Sequence, residues 1–157
     1  KRHRLDAEEE ARYQVQYLPM DELLKTCDML SLHVPVTEET TGMCDREFFA
    51  KCRKGSYFVN TSRGELVDDD ALREALENGT IVMAGLDTLD HEPVQKSHPM
   101  LSWPEETKEK ILFSPHIGGI TGSSFGRGYA MIWEDIEKIS RGEAPGHIVN
   151  QKELNRE

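Results

Sequence analysis

The sequence has little that would place the protein in a membrane or in the secretory pathway. No apolar run in its 157 residues approaches the roughly 20 residues needed to cross a bilayer, and there is no signal peptide. Cysteine is scarce: Cys27, Cys44 and Cys52 are odd in number and lack CxxC spacing. Such spacing favours reduced thiols over a disulfide framework. The sequence therefore predicts a cytoplasmic protein.

Positive charge is also scarce. Nineteen lysines and arginines stand against 29 acidic residues, which gives a net charge of −10. Nucleic acids and anionic membranes attract basic surfaces, so neither is expected as a partner. The motifs HExxH, CxxC and GxSxG are absent, which argues against a zinc site and against serine hydrolysis, and no metal is expected.

Short β-rich runs alternate with helical patterns along the chain, and 157 residues suit one domain. This alternation is typical of an α/β fold with a parallel sheet and crossover helices on both faces. Helices are predicted over residues 20–27, 46–52, 68–78 and 122–141. Strands are predicted over residues 13–18, 28–33, 55–60, 81–86 and 111–113.

Chemically capable side chains follow four of these strands, and carboxyl ends of parallel strands share one edge of a sheet. Each residue also has an ordinary explanation. The arginine could pair with Glu65 or Asp68 on the surface, the glutamate and aspartate could be turn residues, and the histidines could be solvated loop residues. Only their common edge indicates a site; the residues are His33, Thr61, Ser62, Arg63, Asp87, Glu92 and His116.

Four segments together resemble the D-isomer-specific 2-hydroxyacid dehydrogenase family, and the similarity covers nearly the whole chain. They are LHVPVTEETTGM (32–43), GSYFVNTSRGELVDDDALREAL (55–76), AGLDTLDHEP (84–93) and SPHIGG (114–119). The resemblance implies a Rossmann-like sheet and an NAD-dependent oxidoreductase that interconverts a small 2-oxo acid and its D-2-hydroxy acid.

The resemblance also implies catalytic roles for three residues. Arg63 would bind the carboxylate and carbonyl of the 2-oxo acid. His116 would be the general acid in reduction and the general base in oxidation, and Glu92 would hold its imidazole by a hydrogen bond. Formate dehydrogenases of this family have an RHRL-like segment, as at residues 1–4, but carry glutamine in place of Glu92. Glu92 therefore favours a 2-oxo acid reductase.

Cofactor contacts follow from the same similarity. Asp87 would face the carboxamide of the nicotinamide ring. Further residues are expected to line the cofactor groove: His33, Val34, Pro35, Thr40, Thr61, Ser62, Arg63, His116, Gly118 and Gly119. NAD is the expected cofactor, and Arg2 and Arg4 leave NADP open.

The chain departs from the family in one respect. It contains no G-x-G-x-x-G loop, which in the family holds the pyrophosphate. The chain is therefore expected to be the C-terminal portion of a dinucleotide-binding domain without its first two strands, with residues 142–157 leading out. Those strands would belong between residues 13–18 and 28–33, so that a gap is expected in the sheet.

Alternatives to an active enzyme remain open at this point. The same fold and residues would suit an NAD-sensing corepressor or scaffold, and the chain alone could be an inactive fragment. The apolar stripe of the last helix, with Tyr129 and Trp133, fits either a homodimer interface or ordinary core packing.

Overall fold

The computed structural model describes residues 4–148, and the chain divides into two units, Lys1–His116 and Ile117–Glu157. The first unit contains all the strands and the second contains one long helix. The elements in chain order are α1 (Ala7–Tyr13), α2 (Met20–Thr26), β1 (Met29–Leu32), α3 (Arg46–Lys51), β2 (Ser56–Asn60), α4 (Asp69–Glu77), β3 (Ile81–Leu86), α5 (Glu105–Lys108), β4 (Ile111–Phe113) and α6 (Ser124–Ser140), with 3₁₀ turns at Gly64–Leu66 and Pro99–Ser102.

The sheet has four parallel strands in the order β1-β2-β3-β4. Leu32 is paired with Asn60, Asn60 with Leu86, and Leu86 with Phe113. The last paired residues of all four strands therefore form one row at the carboxyl edge. The predicted parallel α/β, Rossmann-like fold is confirmed.

The strand predicted over residues 13–18 is wrong. The Asp6 side chain caps the amino end of α1 together with Glu9 in a capping box, so a helix begins where the strand was expected to approach. Val15 donates its N–H to the carbonyl of Glu10, which is a helix-terminal bond rather than a ladder bond. Because β1 to β4 pair without interruption, the gap expected beside this strand is also absent from the described sheet.

The helices begin where acidic side chains can cap them. Asp45 accepts from the N–H of Phe48 at the start of α3, and Asp68 accepts from the N–H of Ala71 at the start of α4. The predicted helices over residues 20–27, 46–52, 68–78 and 122–141 are each confirmed to within two residues at either end. The sequence reading missed α1 and α5.

One face of the sheet carries the hydrophobic core. Phe58 is fully buried in the central strand β2, and Leu72 and Leu76 of α4 pack into the same cluster. The helices α2, α3, α4 and α5 contact one another in that order, and α4 lies on β3. They do not cover the opposite face, whose apolar side chains are 44–70% exposed: Met29, Tyr57, Met83 and Leu112.

The second unit consists of α6 and the segment that follows it. The predicted apolar stripe lies on this helix, but all of its side chains are exposed, and none is buried in the described structure. Asp135 accepts hydrogen bonds from the N–H groups of Gly146 and His147, which fastens the segment after the helix back onto it. Of residues 142–157, predicted to lead out of the domain, 149–157 lie outside the described residues. None of the helices between residues 4 and 148 is both long and apolar enough to span a membrane.

Two of the three thiols should resist alkylation. Burial raises the pKa of Cys44 to about 12 and that of Cys52 to about 11, whereas Cys27 is only half-buried. We expect iodoacetamide at pH 8 to modify Cys27 first and to reach the other two only on unfolding, as followed by peptide mass spectrometry. Equal rates at the three thiols would contradict this burial.

The same pKa values fix the direction of a pH effect on stability. A raised thiol pKa favours the protonated form in the folded chain, so this contribution is complete below about pH 9, the ordinary thiol value. It is lost as the pH rises toward the folded-state values, because only the unfolded chain then forms thiolates freely.

Candidate functional site

The carboxyl edge of the sheet collects most of the predicted site residues. His33 follows β1, Thr61 to Arg63 follow β2, Asp87 follows β3, and Ser114 to His116 follow β4. Because the four strands are parallel and in register, the segments that leave them emerge side by side. This is the edge at which open parallel sheets bind ligands.

Glu92 and His116 form the central pair of the site. The imidazole Nδ1 lies 2.5 Å from the Oε2 of Glu92, and the backbone N–H of Leu89 donates to the other carboxylate oxygen at 2.8 Å. Both carboxylate oxygens are therefore held, and the Nε2 of His116 is the ring nitrogen left to act on a ligand. His116 also has a positive φ of 53°, which turns its backbone sharply after the strand.

The charge of Glu92 is set by opposing effects. Partial burial raises its pKa, but hydrogen bonds from Leu89 and His116 and the positive charges of His116 and Arg63 outweigh burial. The net pKa of Glu92 lies below its ordinary value, so the carboxylate is ionised at neutral pH. A fixed negative charge therefore sits against the imidazole.

Asp87 lies in a cavity of about 630 Å³ next to this pair. Its side chain is buried, and the hydroxyl of Ser114 donates to its Oδ1 at 2.5 Å. The rest of the lining is largely apolar, so the carboxylate and imidazole face a space with few competing polar groups. The cavity is lined by Asp87, Leu89, Glu92, Pro93, Val94, Phe113, Ser114, Pro115 and His116.

Arg63 lines a second cavity of about 570 Å³ at the same edge. Its backbone is extended, and its guanidinium donates to the carbonyl of Ser62 at 2.7 Å. The positive charge of Arg63 also acts on Glu92, as the lowered pKa of that carboxylate records. This cavity is lined by His33, Val34, Pro35, Val36, Ser62, Arg63 and Glu65.

Other predicted residues have local structural contacts or belong to the second unit. The Thr40 hydroxyl donates to the carbonyl of Pro35 and so shapes the turn after β1. Thr61 is exposed beside Ser62. Gly118 and Gly119 belong to the second unit. Arg4 lies 3.7 Å above the ring of Tyr17, and Arg2 lies outside the described residues.

The sequence reading missed three residues that shape the site. Asn60 is buried at the end of β2 and hydrogen-bonds the loop that follows it. Ser114 holds Asp87. Gly64 packs against the chain near Glu92, where a Cβ would lie 1.9 Å from the backbone carbon of Leu89. A polar residue that ends a buried strand was the available signal for Asn60; the packing of Gly64 left none.

The donor set suits an organic cofactor. Within residues 4–148, no group of three or more histidine, cysteine, aspartate or glutamate side chains is placed to hold a metal ion. A largely apolar cavity with one buried carboxylate fits a flat ring that carries a carboxamide, such as nicotinamide, because Asp87 can accept from an amide N–H. The 157 residues supply no glycine-rich loop for a pyrophosphate.

Known proteins share this architecture. The model of the D-isomer specific 2-hydroxyacid dehydrogenase NAD binding domain matches residues 1–118. A glyoxylate reductase of Korarchaeum cryptofilum is 38% identical over 138 residues, which are 88% of this chain and 40% of that protein. A glyoxylate/hydroxypyruvate reductase B of Cronobacter sakazakii is 34% identical over 97% of this chain and 45% of its own length.

A solved structure agrees with these relatives. The D-lactate dehydrogenase of Lactobacillus jensenii, crystallised with NAD⁺, superposes with a TM-score of 0.78 and is 31% identical. The alignment covers 94% of this chain and 46% of that one. The chain thus spans less than half the length of these relatives.

Proposed function

Because the chain belongs to the D-isomer specific 2-hydroxyacid dehydrogenase family, as its NAD-binding domain, we propose that it provides the catalytic residues for reducing a small 2-oxo acid with NADH and for the reverse reaction. The observation that carries this proposal is the Glu92–His116 pair at 2.5 Å, which borders the cavity that contains Asp87. An ionised carboxylate behind an imidazole is the arrangement that proton transfer to a carbonyl oxygen requires.

Each residue has a distinct task in this proposal. NADH, when bound, supplies the hydride, so the protein has to bind, orient and protonate the substrate. Arg63 binds the substrate carboxylate through two parallel N–H donors. His116 delivers its proton to the carbonyl oxygen from Nε2, while Glu92 fixes the ring through Nδ1 and stabilises its positive charge.

The cofactor residues are also part of the proposal. Asp87 accepts from the carboxamide, and Ser114 keeps that carboxylate in place. The groove is continued by His33, Val34, Pro35, Thr40, Thr61, Ser62, Gly118 and Gly119. NAD is preferred over NADP, because Arg4 is engaged with the ring of Tyr17 rather than free to bind a 2′-phosphate.

The coverage of less than half of each relative bears on the unit that acts. We propose that residues 1–157 are the C-terminal portion of a dinucleotide-binding domain, with a substrate domain and the pyrophosphate loop supplied by additional sequence. A cytoplasmic homodimer fits the free thiols and the exposed apolar face of α6. Neither nucleic acid nor a membrane is proposed as a partner, because the net charge is −10.

The arginine offers a direct test. In the chain with its native flanking sequence, Arg63→Ala should lower kcat/KM for the preferred 2-oxo acid by about 10–100-fold, the value of one charge-assisted bidentate contact. NADH oxidation with glyoxylate, hydroxypyruvate and pyruvate measures this. Arg73→Ala is the matched control, since Arg73 forms only exposed ion pairs with Asp70 and Glu77.

Near-normal turnover by Arg63→Ala would remove the role given to this residue. Tight NADH binding without turnover of any 2-oxo acid would instead favour an NAD-sensing corepressor or scaffold.

A further inference from the structure

Asn60 is placed to control the loop that carries Arg63. It is the last residue of β2 and its side chain is buried, with 1% of the residue exposed. Its Nδ2 donates to the carbonyl of Arg63 at 2.8 Å, and its Oδ1 accepts from the N–H of Ser62 at 3.0 Å. Both ends of the amide therefore bind the three residues that follow it.

The neighbouring contacts make this loop rigid from both sides. The backbone carbonyl of Asn60 accepts from the N–H of Asp87 at 2.9 Å, which ties the end of β2 to the end of β3. The hydroxyl of Ser62 donates to the carbonyl of Leu32 at 2.8 Å, which ties the loop to β1. The backbone on either side of Arg63 is held, while the Arg63 side chain is exposed to the cavity.

The amide of Asn60 is the contact in this set that reaches the backbone of Arg63 itself. A guanidinium that binds a carboxylate through two parallel bonds depends on the direction of its stem, so a rotation of the peptide after Arg63 would misalign both donors. A buried amide has no water to replace a lost partner, so losing the donor to the Arg63 carbonyl leaves that carbonyl unsatisfied.

We propose that Asn60 is a positioning residue, whose side-chain amide fixes the backbone of residues 61–63 and thereby aims the Arg63 guanidinium at the substrate carboxylate. This inference rests on the substrate-binding role proposed for Arg63. It assigns Asn60 no contact with substrate or cofactor.

A double-mutant cycle in the chain with its native flanking sequence tests this. Asn60→Asp keeps the acceptor for the Ser62 N–H but replaces the donor to the Arg63 carbonyl with an oxygen. We expect kcat/KM for the preferred 2-oxo acid to fall about 10-fold or more, mainly through KM. In the Arg63→Ala background the same substitution should change kcat/KM less than about 2-fold, because the misaimed group is already gone.

The control is Asn78→Asp. Asn78 also accepts a backbone N–H two residues ahead, from Thr80 at 2.8 Å, but it is exposed at the end of α4. It should leave kcat/KM unchanged. If Asn60→Asp does not fold, Asn60→Ser gives the same cycle, since a serine hydroxyl can accept from the Ser62 N–H without reaching the Arg63 carbonyl.

The outcomes separate the two proposals. Equal losses from Asn60→Asp with and without Arg63 would show a general structural role and overturn the inference. Unchanged kinetics in Asn60→Asp would overturn it as well. If Arg63→Ala alone has no effect, the proposed function fails first, whereas a large Arg63→Ala effect with an additive Asn60 effect rejects only the positioning role.

Discussion

Asparagine in place of His116 is expected to lower kcat for 2-oxo acid reduction by about 10²–10⁴-fold, the usual contribution of a general acid. Asparagine is chosen because it tolerates the positive φ of 53° at this position better than most residues. It removes the transferable proton without adding bulk to the cavity. Stopped-flow reduction of the 2-oxo acid, with NADH fluorescence as a separate measure of cofactor binding, would distinguish loss of chemistry from loss of the complex.

The matched control for this substitution is His147→Asn. His147 also pairs with a carboxylate, since its Nδ1 lies 2.9 Å from Asp135, but it belongs to the second unit and has no part in the proposed chemistry. Its replacement should change kcat by less than about 2-fold, well within the effect expected of a surface substitution. A His116→Asn protein that turns over as fast as this control would refute the general-acid assignment.

Alanine in place of Gly64 is expected to affect both stability and turnover. The added Cβ would lie 1.9 Å from the backbone carbon of Leu89 and 2.0 Å from the backbone nitrogen of Asp90. Backbone atoms cannot rotate away, so the two segments must separate, at a cost of about 1–3 kcal/mol. Leu89 donates to the carboxylate of Glu92, so the catalytic pair moves with it. A displacement of about 1 Å is enough to lower turnover roughly 100-fold.

Urea unfolding and steady-state kinetics on the same preparation would measure both effects. Gly126→Ala is the control, because no atom lies within 4 Å of its added Cβ and it sits inside α6. Alanine there should raise stability by about 0.5–1 kcal/mol. Unchanged stability and turnover in Gly64→Ala would mean that the approach of residues 64 and 89 is not as close as described.

The sequence could predict those parts of the fold that depend on local pattern. The strands β2 and β3 were predicted within one residue, because their apolar runs are bounded by Gly55 and by the polar residues that follow them. The segment 13–18 misled the prediction. Its β-branched and aromatic residues suit a strand, but the Asp6 cap and the terminal bond from Val15 to Glu10 place it at the end of a helix.

The identity of the candidate site residues was also readable from sequence. Arg63, Asp87, Glu92 and His116 were selected because they follow successive strands, and parallel pairing places those strand ends at one edge. Sequence position could not give the 2.5 Å contact between Glu92 and His116, which joins residues 24 apart. It also could not give the closeness of Gly64 to Leu89, because no local pattern reports an approach between two loops.

Sequence by itself determined the class of fold, the order of β1 to β4 and the types of chemical groups at the sheet edge. These follow from periodicity, capping and strand order, which are properties of neighbouring residues. Tertiary structure alone decided which groups touch: the Glu92–His116 pair, the lowered pKa of Glu92, the Ser114–Asp87 bond and the amide of Asn60 on the Arg63 loop. Charge and hydrogen-bond effects depend on distances of a few ångströms between separate segments, and those distances exist only after the strands have paired.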